Sequence, residues 1–150
     1  MRILIDTNVL IDHFGQRAPF FAAWEKLHAM QIFGDVELWV APQSFADAFY
    51  ILSNAVDCEA LQAAFIESFD FLNVCNVGQA EVFEACKRSW EDYEDCLVAL
   101  CAENINADYL LTRDTSGFKH SNVPCCTPEQ FLQILEDEYG LIYDTVDLSI

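Results

Sequence analysis

Basic side chains are scarce in this chain. Seven Lys and Arg stand against 25 Asp and Glu, a net charge of −18. A broad, sequence-independent nucleic-acid surface usually reads as a basic patch, so the composition argues against one. It suits solubility and a basic partner instead. Histidine is scarcer still, with only His13, His28 and His120. None of them supplies paired ligand spacing, and none of the seven cysteines forms a C-x-x-C pair, so a structural zinc site finds no ligands. Cys58, Cys75, Cys86, Cys96, Cys101, Cys125 and Cys126 instead read mainly as small hydrophobes of a reducing compartment. Long apolar runs are missing too. Ile3-Leu4-Ile5 is interrupted by Asp6, far short of the ~20 residues of a membrane helix. The expectation is a cytoplasmic protein with no membrane span.

No Gly/Ser/Pro-rich linker, internal repeat or low-complexity run divides the sequence. With 53% hydrophobic residues over 150 positions, the chain is not disordered and can bury one sizeable core. We expect one domain over residues 1–136 and a tail over 137–150 that mixes acids with Leu141, Ile142, Tyr143, Val146, Leu148 and Ile150.

Strand and helix patterns alternate. Arg2–Ile5 reads as a strand buried on both faces, and Glu37–Val40 as a second. Phe71–Val77, Asp108–Leu111 and a short edge strand at Val123–Cys125 follow. Helices are expected from Val9 to Phe14, from Pro19, from Pro42 or Ser44 to Ser53, after the cap Asp57, over Gln79–Arg88 and over Glu91–Asn104. The last begins at Thr127-Pro128-Glu129-Gln130, with Thr at the cap and Pro in the first turn. This alternation predicts an α/β fold with a mostly parallel sheet and helices on both faces. Ligands of such sheets bind outside the carboxyl ends of the strands.

Four acids fall at that edge. Asp6 follows the first strand, Asp47 lies early in the helix after the second, Asp95 opens the Glu91–Asn104 helix, and Asp114 follows the Tyr109–Leu111 strand. Clustered carboxylates raise one another's pKa, and a hard divalent cation such as Mg²⁺ or Mn²⁺ removes that cost. Such a metal polarises phosphoryl oxygens and activates water, which suits phosphodiester hydrolysis. Each acid also has a plain structural role open to it. Asp6 can cap a helix, Asp47 can be solvated, Asp95 can answer the helix dipole with Asp92 three residues before it, and Asp114 can sit in a turn.

In order along the chain, these segments resemble the PIN-domain family of metal-dependent ribonucleases, above all toxins of type II toxin–antitoxin pairs. The resembling residues are Ile3-Leu4-Ile5-Asp6-Thr7-Asn8-Val9-Leu10-Ile11-Asp12, Arg17-x-Pro19-Phe20 and Ser44-x-x-Asp47-Ala48-Phe49. Glu94-Asp95-Cys96-Leu97, Ala107-Asp108-Tyr109-Leu110-Leu111-Thr112-Arg113-Asp114 and Val123-Pro124-x-x-Thr127-Pro128 complete the set. The resemblance implies a three-layer α/β/α fold, Mg²⁺ or Mn²⁺, one or two ions, and RNA as substrate. It places Asp6, Asp47, Asp95 and Asp114 at the four acidic positions, with Asp6, Asp95 and Asp114 as the metal ligands. It gives Thr112, Asn8 and Asp92 supporting roles, and implies a small basic antitoxin and a homodimer. Arg17, Arg113 and Lys119 are the expected phosphate contacts, with Lys87 and Arg88 as further candidates. Two positions depart from the family pattern: Asp47 where many relatives carry Glu, and Gly117 where an acid often precedes the Phe that Phe118 matches. A metal-dependent ribonuclease is the leading reading. A PIN-like binding or assembly module that does not cleave, and a nuclease or phosphoesterase acting on DNA flaps or small phosphoesters, stay open beside it.

Overall fold

The computed structural model describes residues 1–143. Strand β1 is Arg2–Ile5, β2 Glu37–Val40, β3 Leu72–Val74, β4 Tyr109–Leu111 and β5 Cys125–Cys126. They form one sheet in the order β3-β2-β1-β4-β5, and every neighbouring pair is parallel. The chain steps outward from β1 in one direction through β2 and β3, then returns to its other side with β4 and β5. The strand order therefore reverses beside β1, where open parallel sheets leave a crevice at their carboxyl ends.

Successive side chains of a strand face opposite ways, and the core divides accordingly. Ile3, Ile5, Leu38 and Val40 join the apolar cluster on one face. Helices α1 (Thr7–Phe14), α2 (Phe21–Ile32), α3 (Pro42–Leu52), α4 (Cys58–Ser68) and α7 (Pro128–Tyr139) supply the rest of that layer. Leu4, Leu110 and the edge of Trp39 face the other way, onto α6 (Tyr93–Asn104). Helix α5 (Gln79–Arg88) packs on α6 from outside, so α6 is enclosed between the sheet and another helix. Its residues Cys96 to Ala102 are all buried, as a helix with no solvent face must be. The three-layer α/β/α architecture expected from the sequence is the one observed.

Several element ends differ from the sequence reading: α1 begins early at Thr7, α6 late at Tyr93 and β4 late at Tyr109, and three further elements differ for a plain local reason. β3 stops at Val74 because its partner β2 stops at Val40, leaving only the Cys75 N–H bond to the Val40 carbonyl. β5 is shifted to Cys125–Cys126 because it pairs with Leu110 and Leu111, while Pro124 offers only its carbonyl to Leu110. α2 begins at Phe21 rather than Pro19, since residues 18–20 form a turn closed by the Phe21 N–H to the Arg17 carbonyl. α7 runs across residue 136 to Tyr139 and ends at Gly140, whose left-handed φ of 64° suits glycine. Beyond it, the Tyr143 hydroxyl donates to Asp35 at 2.7 Å. Val146, Leu148 and Ile150 of the expected tail lie outside the described residues.

Candidate metal centre

The site forms at the carboxyl ends of β1 and β4, flanking the point where the strand order reverses. Asp6 continues β1, its N–H donating to the Leu111 carbonyl at 2.9 Å. It is buried and takes three hydrogen bonds: from the Thr7 N–H at 2.7 Å, the Thr112 hydroxyl at 2.8 Å and the Asn8 amide at 3.2 Å. It is therefore the cap of α1 and a member of the site at once; the two readings of Asp6 are compatible. Asn8 also accepts from the Arg113 N–H, and Thr112 accepts from the Asp114 N–H. These bonds lace the end of β1 to the end of β4.

Helix α6 aims its first turn at the same place. Asp92 caps it, accepting from the Asp95 N–H at 3.0 Å. Glu94 and Asp95 follow in the first turn, beside the positive end of the helix dipole. Asp6, Glu94 and Asp95 each present one carboxylate oxygen within 4.8 Å of the others. Glu94 is the member that sequence reasoning left out. It is held by the Thr7 hydroxyl at 3.1 Å, and Thr7 shares a 2.8 Å hydrogen bond with the fully buried Ser44 hydroxyl of α3. The signal was present in the sequence as Glu94 beside Asp95 and as the hydroxyls Thr7 and Ser44.

The other expected residues take varied places. Asp114 and Asp47 stand outside the tight trio among the described residues, but their charges reach it: Asp114 bears on Asp6 and Asp95, and Asp47 on Glu94. Asp114 is exposed and accepts from the Ser116 hydroxyl. Gly117 lies directly against Asp95; a Cβ built there would overlap Asp95 Oδ2, with Asp114 Oδ2 at 3.9 Å. An acid at position 117 could enter only if Asp95 swung aside, so the glycine here makes room for the carboxylate.

The expected cations take varied places. Arg113 is engaged within the fold. Its Nε lies 2.9 Å from Oδ2 of the buried Asp12, an ion pair without hydrogen-bond alignment, and its guanidinium stacks 4.2 Å from the Phe20 ring centroid. Arg88 is doubly hydrogen-bonded to Glu103 at 2.7 and 2.8 Å, and Lys87 pairs with Glu84. Arg17 and Lys119 are exposed.

The trio gathers negative charge in a partly buried place. Burial, then the charge of Asp6, pushes Glu94 up to about 7. Burial and the charges of Asp6, Asp92 and Asp114 push Asp95 up to about 7 as well. Burial raises Asp6 too, against the pull of the Thr112 and Thr7 hydrogen bonds. Raised carboxyls keep more protons when folded than when unfolded, so each weakens the fold as pH rises from about 4 through 7. In chelator, Asp95→Asn should therefore melt higher than wild type at pH 8, with the gain vanishing toward pH 4. His13, pushed down to about 4 by burial, titrates in the opposite sense but is common to both proteins. Millimolar Mn²⁺ should stabilise wild type more than the variant. Thermal melts across pH check this, and a pH-independent difference between the two proteins would remove the electrostatic argument.

The molecule is thus an α/β protein with an open parallel sheet and an acidic, oxygen-only trio at its switch point. A family model described as PIN domain matches residues 2–116, and the chain belongs to that family. No curated protein matches the chain. Solved structures share the fold at low identity. VapBC2 from Rickettsia felis, bound to a promoter DNA fragment, is 16% identical, with 85% of this chain and 98% of that chain covered and a TM-score of 0.63. VapBC-1 from nontypeable Haemophilus influenzae is 16% identical, covering 86% and 99%, with a TM-score of 0.64. A toxin–antitoxin complex from Klebsiella pneumoniae is 20% identical, covering 84% and 97%, with a TM-score of 0.55.

Proposed function

We propose that this chain is a metal-dependent endoribonuclease and the toxin of a type II toxin–antitoxin pair. One observation carries the reading: Asp6, Glu94 and Asp95 converge at the sheet's carboxyl edge with carboxyls raised by burial and mutual charge. The donor set is all oxygen, which fits Mg²⁺ or Mn²⁺ and not a soft or borderline ion. A bound divalent ion would polarise a phosphoryl oxygen and lower the pKa of attacking water.

The remaining work belongs to this chain's own residues. Thr112 and Asn8 fix the rotamer of Asp6, and Thr7 with Ser44 fixes Glu94. Asp92 fixes the start of α6 and hence the aim of Asp95. Asp47 and Asp114, whose charges reach the trio, would assist a second ion or position water. The likeness in fold to the toxin–antitoxin complex from Klebsiella pneumoniae supports the toxin part of the reading. So does the −18 charge, which suits a basic antitoxin segment whose Arg or Lys pairs with the carboxylates. Self-association as a homodimer belongs to the same reading.

The test is cleavage of a single-stranded oligoribonucleotide beside a DNA oligomer of the same sequence. We expect RNA cleavage with Mn²⁺ or Mg²⁺ and none with chelator. Cleavage that persists in chelator, or that is confined to DNA, overturns the reading. Absence of both cleavage and Mn²⁺ binding by calorimetry favours a module that does not cleave, a reading supported by the shortage of unpaired cations.

A further inference from the structure

Beside the trio, past Gly117 and Asp92, lies a groove of about 570 Å³. Its walls carry Trp90, His120, Lys119 and Ser116. The Trp90 and His120 rings meet edge to face, with centroids 6.1 Å apart and planes at 65°. Trp90 is half-buried and packs against the apolar clusters around α6, so its ring is anchored, whereas His120 and Lys119 are exposed at the rim.

The charges of this groove do not describe a phosphate site. Arg88 lines it but is committed to Glu103, and Glu91 and Asp92 bring two negative charges. Lys119 remains. Among the described residues, Arg2, Lys87, Arg88 and Arg113 each sit in an ion pair, while Arg17, Lys26 and Lys119 sit in none. Of those three, Lys119 lines this groove. An aromatic pair, one unpaired cation and two carboxylates together match a nucleotide. The uncharged base has a π face for the rings and amino protons for Glu91 or Asp92, and its phosphate falls to Lys119.

We propose that this groove is a stacking subsite for one unpaired nucleobase of a single-stranded RNA, next to the phosphate held at the carboxylate trio. This rests on the ribonuclease reading and deepens it. A chain with so few free cations cannot rely on counterion release for affinity, and stacking supplies a substitute that salt does not screen. RNA held this way has a shallow salt dependence, and double-stranded RNA, whose bases are paired and stacked already, is excluded from the groove.

The test is binding of a single-stranded oligoribonucleotide carrying 2-aminopurine to the full chain bearing Asp6→Asn, read by anisotropy and by quenching of the base. We expect Trp90→Ala and His120→Ala each to weaken binding about tenfold and to relieve the quench, with Trp90→Phe retaining most of both. Lys119→Ala should weaken binding and lower the salt slope by about one. Trp90 also packs inward, so if Trp90→Ala unfolds by circular dichroism, His120→Ala decides. RNA that binds His120→Ala and both Trp90 variants with unchanged affinity and quench, while wild type cleaves RNA, sinks the subsite and leaves the nuclease reading standing. A duplex that competes as well as the single strand sinks it equally. If neither cleavage nor RNA binding occurs in any form, the nuclease reading fails and the subsite fails with it.

Discussion

Glu94→Gln should cut metal-dependent RNA cleavage by about 10²–10³-fold, as much as Asp6→Asn, while leaving the protein folded. The substitution keeps the size of the side chain and its hydrogen bond with Thr7, and removes only the charge that a cation would meet. In chelator the variant should be more stable than wild type, because a carboxyl raised to about 7 by burial and by Asp6 no longer has to ionise. Loss of cleavage together with a gain of metal-free stability is the signature of a ligand; a purely structural residue would lose both. Thr7→Val should cost less, about tenfold, since it only loosens the aim of Glu94. Full cleavage by Glu94→Gln would reduce the centre to Asp6 and Asp95. Single-turnover cleavage at saturating Mn²⁺ and urea unfolding in chelator provide the two readouts.

Arg113→Ala should destabilise the fold by about 2–4 kcal/mol, with the partial exposure of Arg113 keeping it toward the lower part of the buried-pair range. Asp12 is 2% exposed, and its Oδ1 has no hydrogen-bond partner among the described residues. Removing the guanidinium leaves that carboxylate buried without its ion-pair partner, with only the weaker charge of Arg17 to answer it. Burial already raises the Asp12 carboxyl despite Arg113, so the loss should be larger at pH 8 than at pH 4, where the acid takes up a proton instead. The pair Asp12→Leu with Arg113→Met should recover most of the stability, because an apolar replacement removes the charge as well as its partner. Urea unfolding at both pH values measures this. Unchanged stability with weakened RNA binding would return Arg113 to the role of a phosphate contact.

The parts of the fold that follow from short-range chemistry were legible. β1 is an unbroken apolar run, Asp57 and Thr127 cap helices where their side chains say they do, and Gln79–Arg88 begins and ends as read. Parallel order followed from the alternation of strands and helices. What stayed hidden depends on who meets whom. Glu94 and Asp95 are neighbours in a helix with no solvent face, so no polar stripe shows which acid looks toward the sheet. With 25 acids in the chain, one more carboxylate carries little information by itself. The ion pair of Arg113 was hidden for a related reason: its partner Asp12 is an acid inside the apolar Val9-Leu10-Ile11 helix. An acid in such a run calls for a buried cation, and that was the available clue. The ends of β3 and β5 were set by the lengths of their neighbours, which no local pattern encodes.

The enclosure of α6 has a consequence for how the protein fails. Glu94 and Asp95 project from the helix whose central residues, Cys96 to Ala102, are all buried. Amide protons along Cys96–Ala102 should exchange with deuterium only through global opening, whereas those of the exposed 3₁₀ turn at Thr115–Phe118 exchange through local fraying. Two of the three clustered carboxylates thus have no partially unfolded form of their own. Heat or denaturant should abolish metal binding at the same midpoint as the fold itself, with no inactive but folded intermediate between them.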